Sequence, residues 1–501
     1  MKKILSVFTM ILFVFMAQAQ SGLATKAKQL VIKMTLEDKA KFVVGMGMKL
    51  PGVQMGGPVV GEIKDKVPGA AGKTFAIPRL GIPSLILSDG PAGVRIDPFR
   101  NGDSSRSYYA TAWPVATLLA STWDTALVKK MGVAFGSEVK DYGIDVILAP
   151  ALNIHRNPLG GRNFEYYSED PVVAGNMAAA IVNGIESNGV GTSIKHYAAN
   201  NQETHRNTVN TIVSERALRE IYLKGFEITV KKSQPWTVMS SYNKINGTYT
   251  SEDYDLLTTI LRKEWGFKGL VMTDWFGGTD PVAQMKAGND LLMPGTPQLT
   301  KKIIDAVKNG TLKESVLDLN AERVLMLVLQ SPAYKNFKYS DKPDLKKDAL
   351  VSRTVAEDGM VLLKNENSAL PLDKSTNKIA LFGINGYELI AGGTGSGDVN
   401  KAYSVSLLQG LNKAGYNVNA DLKNTYTNYI NEEKIKHPKR SFFQEFMNPT
   451  PAIKEYLMDK EMVDKTVGDA DVAIVTIGEM PAKARTENRK MILICLIQKE
   501  R

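Results

Sequence analysis

From about residue 80 the chain repeats one pattern: a short apolar run, a polar cluster, then an amphipathic stretch. The runs are Pro83–Leu87, Ile144–Leu148, Thr192–Lys195, Thr237–Ser240, Gly269–Thr273 and Asp290–Met293. Runs of this length between helical segments predict strands of a parallel sheet covered by helices. The helical patterns lie at roughly 124–142, 171–188, 214–230, 251–264 and 298–309. Asp170-Pro171 and Asp280-Pro281 read as helix starts, because Asp accepts an orphan amide hydrogen while Pro lacks one. The alternation predicts an α/β fold of the (β/α)8-barrel type rather than a doubly wound sheet.

Residues 331–349 are polar, lysine-rich and broken by prolines, and read as a linker. A second α/β pattern follows. It comprises a helix at 349–363, a strand Lys378–Phe382, a helix at 404–414, a strand near Val418 and a last strand Asp471–Ile477. The stretch Gly392-Gly393-Thr394-Gly395-Ser396-Gly397 lacks the spacing and lysine of a phosphate-binding loop, and is expected to be a flexible loop near a binding cleft.

The N-terminus changes the picture. Lys2-Lys3, the apolar run Ile4–Met16 and Ala17-Gln18-Ala19 form the three parts of a cleavable signal peptide over residues 1–19. The run is short for a bilayer span, and no lipidation cysteine follows it, so a periplasmic or secreted product without stable membrane insertion is expected. Across 501 residues the formal net charge is +10. Two units come from Lys2 and Lys3 and a net three from Glu479–Arg501. The remainder forms no basic stripe, which argues against a nucleic-acid partner. Cys495 is the single cysteine, so there is no internal disulfide and no cysteine-rich metal site.

In a barrel, reactive groups gather at the C-terminal ends of strands. Those ends carry Asp89, Lys195-His196, Tyr242 and Asp274. Asp89 opens Asp-Gly-Pro-Ala-Gly-Val-Arg, ending at Arg95, and suits either polar-ligand recognition or a loop-stabilising ion pair. Asp274 precedes Trp275. That pair suits a sugar, with the indole on C–H faces and the carboxylate on hydroxyls, although a capping Asp reads equally well. His155, His196 and His205 lack the i,i+4 spacing of a zinc hydrolase, and His437 lies in a polar stretch. No Gly-x-Ser-x-Gly elbow follows a strand.

The ordered motifs decide between these readings. They are Asn153-Ile-His-Arg-Asn-Pro158, Gly160-Gly-Arg-Asn-Phe-Glu-Tyr-Tyr-Ser-Glu-Asp-Pro171, Lys195-His-Tyr-Ala-Ala-Asn-Asn-Gln-Glu-Thr-His-Arg206, Met239-Ser-Ser-Tyr-Asn243 and Thr273-Asp-Trp275. Together they resemble glycoside hydrolase family 3, the β-glucosidase and β-xylosidase family, over about residues 30–478. The resemblance implies a barrel over 20–330, then an α/β sandwich over 350–501 that closes on the same cleft. It implies that Asp274 is the nucleophile. Asp89, Arg95, Arg162, Lys195, His196 and Arg206 would line the subsite for the non-reducing sugar, with Met239, Tyr242 and Trp275 about it. The implied activity is that of a retaining exo-acting β-glucosidase on β-glucosides or short β-linked oligosaccharides, without metal or organic cofactor. A β-xylosidase is the neighbouring reading. A carbohydrate-binding protein with impaired catalysis is the alternative from another class. Members acting on N-acetylhexosamines run from Lys-His into Pro-Gly-His-Gly; here Tyr197-Ala-Ala-Asn200 follows, as in the glucosidase branch, which takes its general acid from the second domain.

The departure from the family comes after Gly478. Relatives continue with an arginine, a short turn and Gly-Glu-Gly, whose Glu is the acid/base. This chain reads Glu479-Met-Pro-Ala-Lys-Ala-Arg-Thr486, and its tail ends in an apolar run with no evident partner strand. Restoring one base after the codon for Gly478 permits Gly-Arg-Asn-Ala-Gly-Glu-Gly-Lys-Asp. A frameshift is therefore expected, making 479–501 an aberrant tail and the sandwich incomplete, with the acid/base Glu belonging near Lys483. Sequencing the gene across codons 470–500 should show the displaced base; an intact frame there overturns the expectation.

Overall fold

The computed structural model describes residues 22–47, 66–100, 103–393, 395–438 and 453–478, and the backbone of 495–498. The signal-peptide reading over 1–19 and the position of Lys483 lie outside the described residues. Six strands form the main sheet in chain order: β1 (Gly72–Lys73), β2 (Ile86–Asp89), β3 (Val146–Leu148), β4 (Gly191–Tyr197), β5 (Thr237–Ser240) and β6 (Leu270–Met272). From β2 to β6 every pairing is parallel. Helices Thr125–Asp141, Pro171–Glu186, Lys224–Ser233 and Pro281–Ala287 alternate with them. Asp170 and Asp280 cap the Pro-initiated helices, accepting from Val172 and Val282 N–H groups.

Successive side chains on a strand point to opposite faces. Here they enter two different cores. Ile86, Ile147, Ile194, Val238 and Val271 pack outward with the helices Thr125–Asp141 and Pro171–Glu186. Leu87, Val146, Leu148, Met239, Leu270 and Met272 pack on the other face. Both faces being buried explains why the runs read as continuously apolar.

The (β/α)8 expectation is met only in coarse form, as a curled sheet of six strands. β1 runs antiparallel to β2. The connection between them holds one short turn of helix, Pro78–Leu80, and so lacks the crossover that a parallel pair requires. The run Asp290–Met293, expected as a strand, makes isolated bridges instead, Leu291 to Met272 and Leu292 to Val44. Pro294 follows it and has no N–H with which to extend a ladder. Met46 N–H then donates to the Lys73 carbonyl at 3.1 Å, so single contacts span the gap between β6 and β1.

Buried carboxylates pin the base of the sheet. Asp145 accepts from the N–H groups of Ile86 and Ala333. Glu186 takes Thr192 and Trp236, and Asp290 takes Val271 together with Arg262 and Arg323. Each satisfies amide donors that would otherwise lie unpaired where the ladder begins or frays.

The helix predicted at 349–363 spans Leu345–Gly359 and so begins inside the stretch read as linker. Asp344 caps it by accepting from Lys347 N–H. Val355 enters the barrel-side core and Gly359 lies against Leu118, leaving Met360–Leu363 exposed. Beyond it lie β7 (Lys378–Phe382), β8 (Asn417–Val418), β9 (Val472–Val475) and β10 (Cys495–Gln498), in the order β8-β7-β9-β10. The apolar tail, expected to lack a partner, pairs antiparallel with β9, because β9 otherwise offers an open row of backbone donors and acceptors. No helix among the described residues is long and apolar enough to cross a membrane.

The segment 108–113 straps the two parts together. Ala110 N–H donates to Asn400 O, and Asn400 Nδ2 to Tyr108 O. Behind this strap Glu138 is fully buried and accepts from Thr111 N–H at 2.8 Å. Burial pushes its carboxyl from 4.5 up to about 8. The folded state therefore holds the proton while the unfolded chain releases it, so this contribution to stability is complete below about pH 4.5 and is lost as pH rises to about 8. Glu138→Gln should remove that loss, and urea unfolding should place the variant on the order of 1–3 kcal/mol above wild type at pH 8 relative to pH 4.5. Parallel stability–pH curves for the two proteins would refute the assignment.

Candidate active site

The in-register pairing of Ile194 with Val238 and of Val238 with Val271 brings the ends of β4, β5 and β6 together. Asp274 stands just beyond β6. Its N–H donates to the Ser240 carbonyl at 3.2 Å, and its Oδ1 accepts from Trp275 N–H at 2.7 Å. These two bonds fix the carboxylate at the mouth of the sheet, with Oδ2 lying 3.7 Å from His196 Nε2. Tyr242, on the loop after β5, faces the same carboxylate with its phenol.

Charge surrounds it. Arg162 is buried, with Nε on Glu165 at 2.6 Å, Nη1 on Glu203 at 3.4 Å and Nη2 on His196 Nε2 at 2.7 Å. A guanidinium can only donate, so His196 accepts at Nε2 and carries its ring proton on Nδ1. It meets Asp274 as a neutral neighbour. Arg206 lies over the Tyr242 ring at 4.7 Å and pairs with Glu203 at 3.1 Å. On the other side Asp89 sits between Lys195 Nζ, 3.9 Å away, and Arg95 Nη1, 3.4 Å away. The loop-stabilising ion pair read from the sequence is thus present.

Burial pushes the Asp274 carboxyl above its ordinary value, against the opposing pull of Arg162, Arg206 and Lys195. The basic residues therefore moderate the desolvation of Asp274 rather than overcome it. Tyr242 is pushed well up by burial and by the Asp274 charge, which keeps the phenol protonated as a donor.

The other residues singled out from sequence behave differently. Met239 is buried in the core beneath the site, with Leu87 and Met272. Trp275 directs its Nε1–H to the Ala71 carbonyl at 3.0 Å, and its ring lies near Gly72. Sequence reasoning passed over Glu165 and Glu203, although both stand inside quoted motifs; nothing in spacing distinguishes a buried counterion from a solvated Glu. It also passed over Asn153. That side chain receives His196 N–H and donates to His196 O, both at 2.9 Å, and so holds the backbone of the Lys195-His196 pair.

The second domain reaches this mouth through its glycine loop. Gly393 and Gly397 leave no room for a Cβ against the Phe164 ring, and Gly392 lies beside Ala92. β7 and β9 run parallel, so Gly478 emerges at the end of the sheet from which this loop departs.

Comparison with known proteins agrees with this architecture. Residues 79–327 match the glycosyl hydrolase family 3 N-terminal domain, and residues 360–495 match its C-terminal domain. The chain belongs to glycosyl hydrolase family 3. It is 39% identical over 426 residues to thermostable beta-glucosidase B of Acetivibrio thermocellus, covering 84% of this chain and 53% of that protein. It is 41% identical to an exo-alpha-(1->6)-L-arabinopyranosidase of Bifidobacterium longum, covering 69% and 47%. The structure of beta-glucosidase 3B from Thermotoga neapolitana in complex with glucose superposes with a TM-score of 0.84 at 48% identity, over 92% of this chain and 63% of that one. The chain spans about half the length of the sequence relatives it matches.

Removing the Asn153 side chain would break both of its bonds to the buried His196 backbone. Asn153→Ala should lower unfolding free energy by about 2 kcal/mol or more, read from urea denaturation. A loss below about 0.5 kcal/mol would show that these bonds are dispensable.

Proposed function

We propose that the protein is a retaining, exo-acting β-glucosidase of family 3, with Asp274 as its nucleophile. The observation that carries this reading is the buried Asp274 carboxylate held beyond β6 and ringed by Arg162, Arg206, Lys195, His196 and Tyr242. An Asp274 oxygen attacks the anomeric carbon as the glycosidic C–O bond breaks, giving a covalent glycosyl ester and a departing alcohol. Water then attacks the same carbon, the ester bond breaks, and β-glucose leaves with retained configuration. Lys195, Arg162 and Arg206 donate to sugar hydroxyls, and Asp89 accepts from them.

The second carboxylate, which protonates the leaving oxygen and later activates water, belongs to the segment after Gly478, outside the described residues. We propose that this segment is read in a shifted frame and that the Glu intended near Lys483 is the acid/base. The support is the Gly-Glu-Gly recovered by one added base and the emergence of Gly478 on the side of the glycine loop. The signal-peptide pattern over 1–19 supports export to the periplasm or exterior, where short β-glucans would be met.

Leaving groups that need no proton separate the two roles. The chain as given should release a burst of dinitrophenolate from 2,4-dinitrophenyl β-glucoside and then stall, with azide restoring turnover as β-glucosyl azide; it should not hydrolyse cellobiose. Asp274→Ala should abolish the burst, and in the frame-restored protein should leave less than about 1% of kcat. Steady cellobiose hydrolysis by the given chain would sink the assignment of the acid. Aryl β-glucoside should exceed aryl β-xyloside and aryl α-L-arabinopyranoside in kcat/KM with the frame-restored protein, and the reverse order would move the substrate class.

A further inference from the structure

Glu203 contacts both arginines of the site. Its Oε1 lies 3.4 Å from Arg162 Nη1 and its Oε2 lies 3.1 Å from Arg206 Nη1, and it is buried. The two guanidiniums come from different segments. Arg162 precedes the short helix Asn163–Glu165, whereas Arg206 lies on the loop after β4. Each cation disfavours the other, and both are desolvated. Two buried cations hold a fixed separation only if a shared anion spans them. Glu165 meets Arg162 on its Nε side, at 2.6 Å.

We propose that Glu203 is a positioning residue that bridges Arg162 and Arg206, sets their spacing around the bound sugar, and limits how much of their positive field reaches Asp274. The proposal rests on the reading of Asp274 as nucleophile and adds to it a residue whose two carboxylate oxygens meet Arg162 and Arg206. The groups facing Asp274 are Arg162, Arg206, Lys195, His196 and Tyr242, with Asp89 behind Lys195. Removing the Glu203 charge leaves the arginines less neutralised. Asp274 then ionises more readily and stays competent at lower pH.

The reaction to follow is glycosylation of the given chain by 2,4-dinitrophenyl 2-deoxy-2-fluoro-β-D-glucoside, which needs no general acid. Intact mass gives the rate at each pH, and peptide mapping gives the labelled residue. Glu203→Gln should move the acidic limb of the second-order rate to lower pH by about half a unit or more. Glu203→Asp keeps the charge but cannot span both arginines. Its limb should stay with wild type, while its calorimetric Kd for glucose should weaken about tenfold. A purely structural role would lower rates in both variants without moving either limb. Labelling at Asp274 with coincident limbs in wild type and Glu203→Gln overturns the role of Glu203 alone. If Glu203→Gln does not fold, wild-type glucose affinity and labelling rate in Glu203→Asp overturn it. Labelling at another residue, or none, overturns the Asp274 assignment and this proposal with it.

Discussion

The charged groups at the mouth of the curled sheet can be buried only because each cation has a fixed anion. Arg162 is held by Glu165 and Glu203, Arg206 by Glu203, and Asp89 lies between Lys195 and Arg95. An isolated ion of either sign would be expelled or neutralised at such depth. Pairing keeps the ions in place, and the pairs occupy the directions left open by the sheet. Asp274 differs from the rest. Among the described residues no short ion pair closes on it, so burial prevails and its carboxyl rises.

The sheet supplies the geometry for this cluster. Parallel strands, with the β4 register shifting between Ile194 and Tyr197, bring His196, Ser240 and Asp274 to one end, and two backbone bonds orient the carboxylate. Asn153 acts in the same way on the backbone of His196. The opposite end is held by buried acids of another kind. Asp145, Glu186 and Asp290 accept backbone N–H groups at the strand starts. One residue type thus does two jobs, and its position along the strand separates them.

The second domain matters through contact more than through its own core. The strap 108–113 binds Asn400 on one side and Glu138 on the other, and the glycine loop presses on Phe164 next to Arg162. The strap also meets the Asp89–Arg95 loop, since Trp113 N–H donates to Ala92 O.

By itself the sequence determined the alternation of strands and helices, the Asp-Pro caps and the residues that converge at the mouth, because these follow from local periodicity, local hydrogen bonding and ordered motifs. Asp274, Arg162, Lys195, His196, Arg206 and Tyr242 were legible in this way. Tertiary structure alone decided the rest. It turned Asp290–Met293 into single bridges, ran β1 antiparallel, placed Met239 below the site and sent the Trp275 nitrogen to Ala71. It also made counterions of Glu165 and Glu203. The physical reason is common to all of these. A glutamate or a tryptophan nitrogen takes whichever partner lies across space, and a short apolar run pairs only where the neighbouring backbone leaves a matching row of donors and acceptors; neither partner is encoded in the residues beside it.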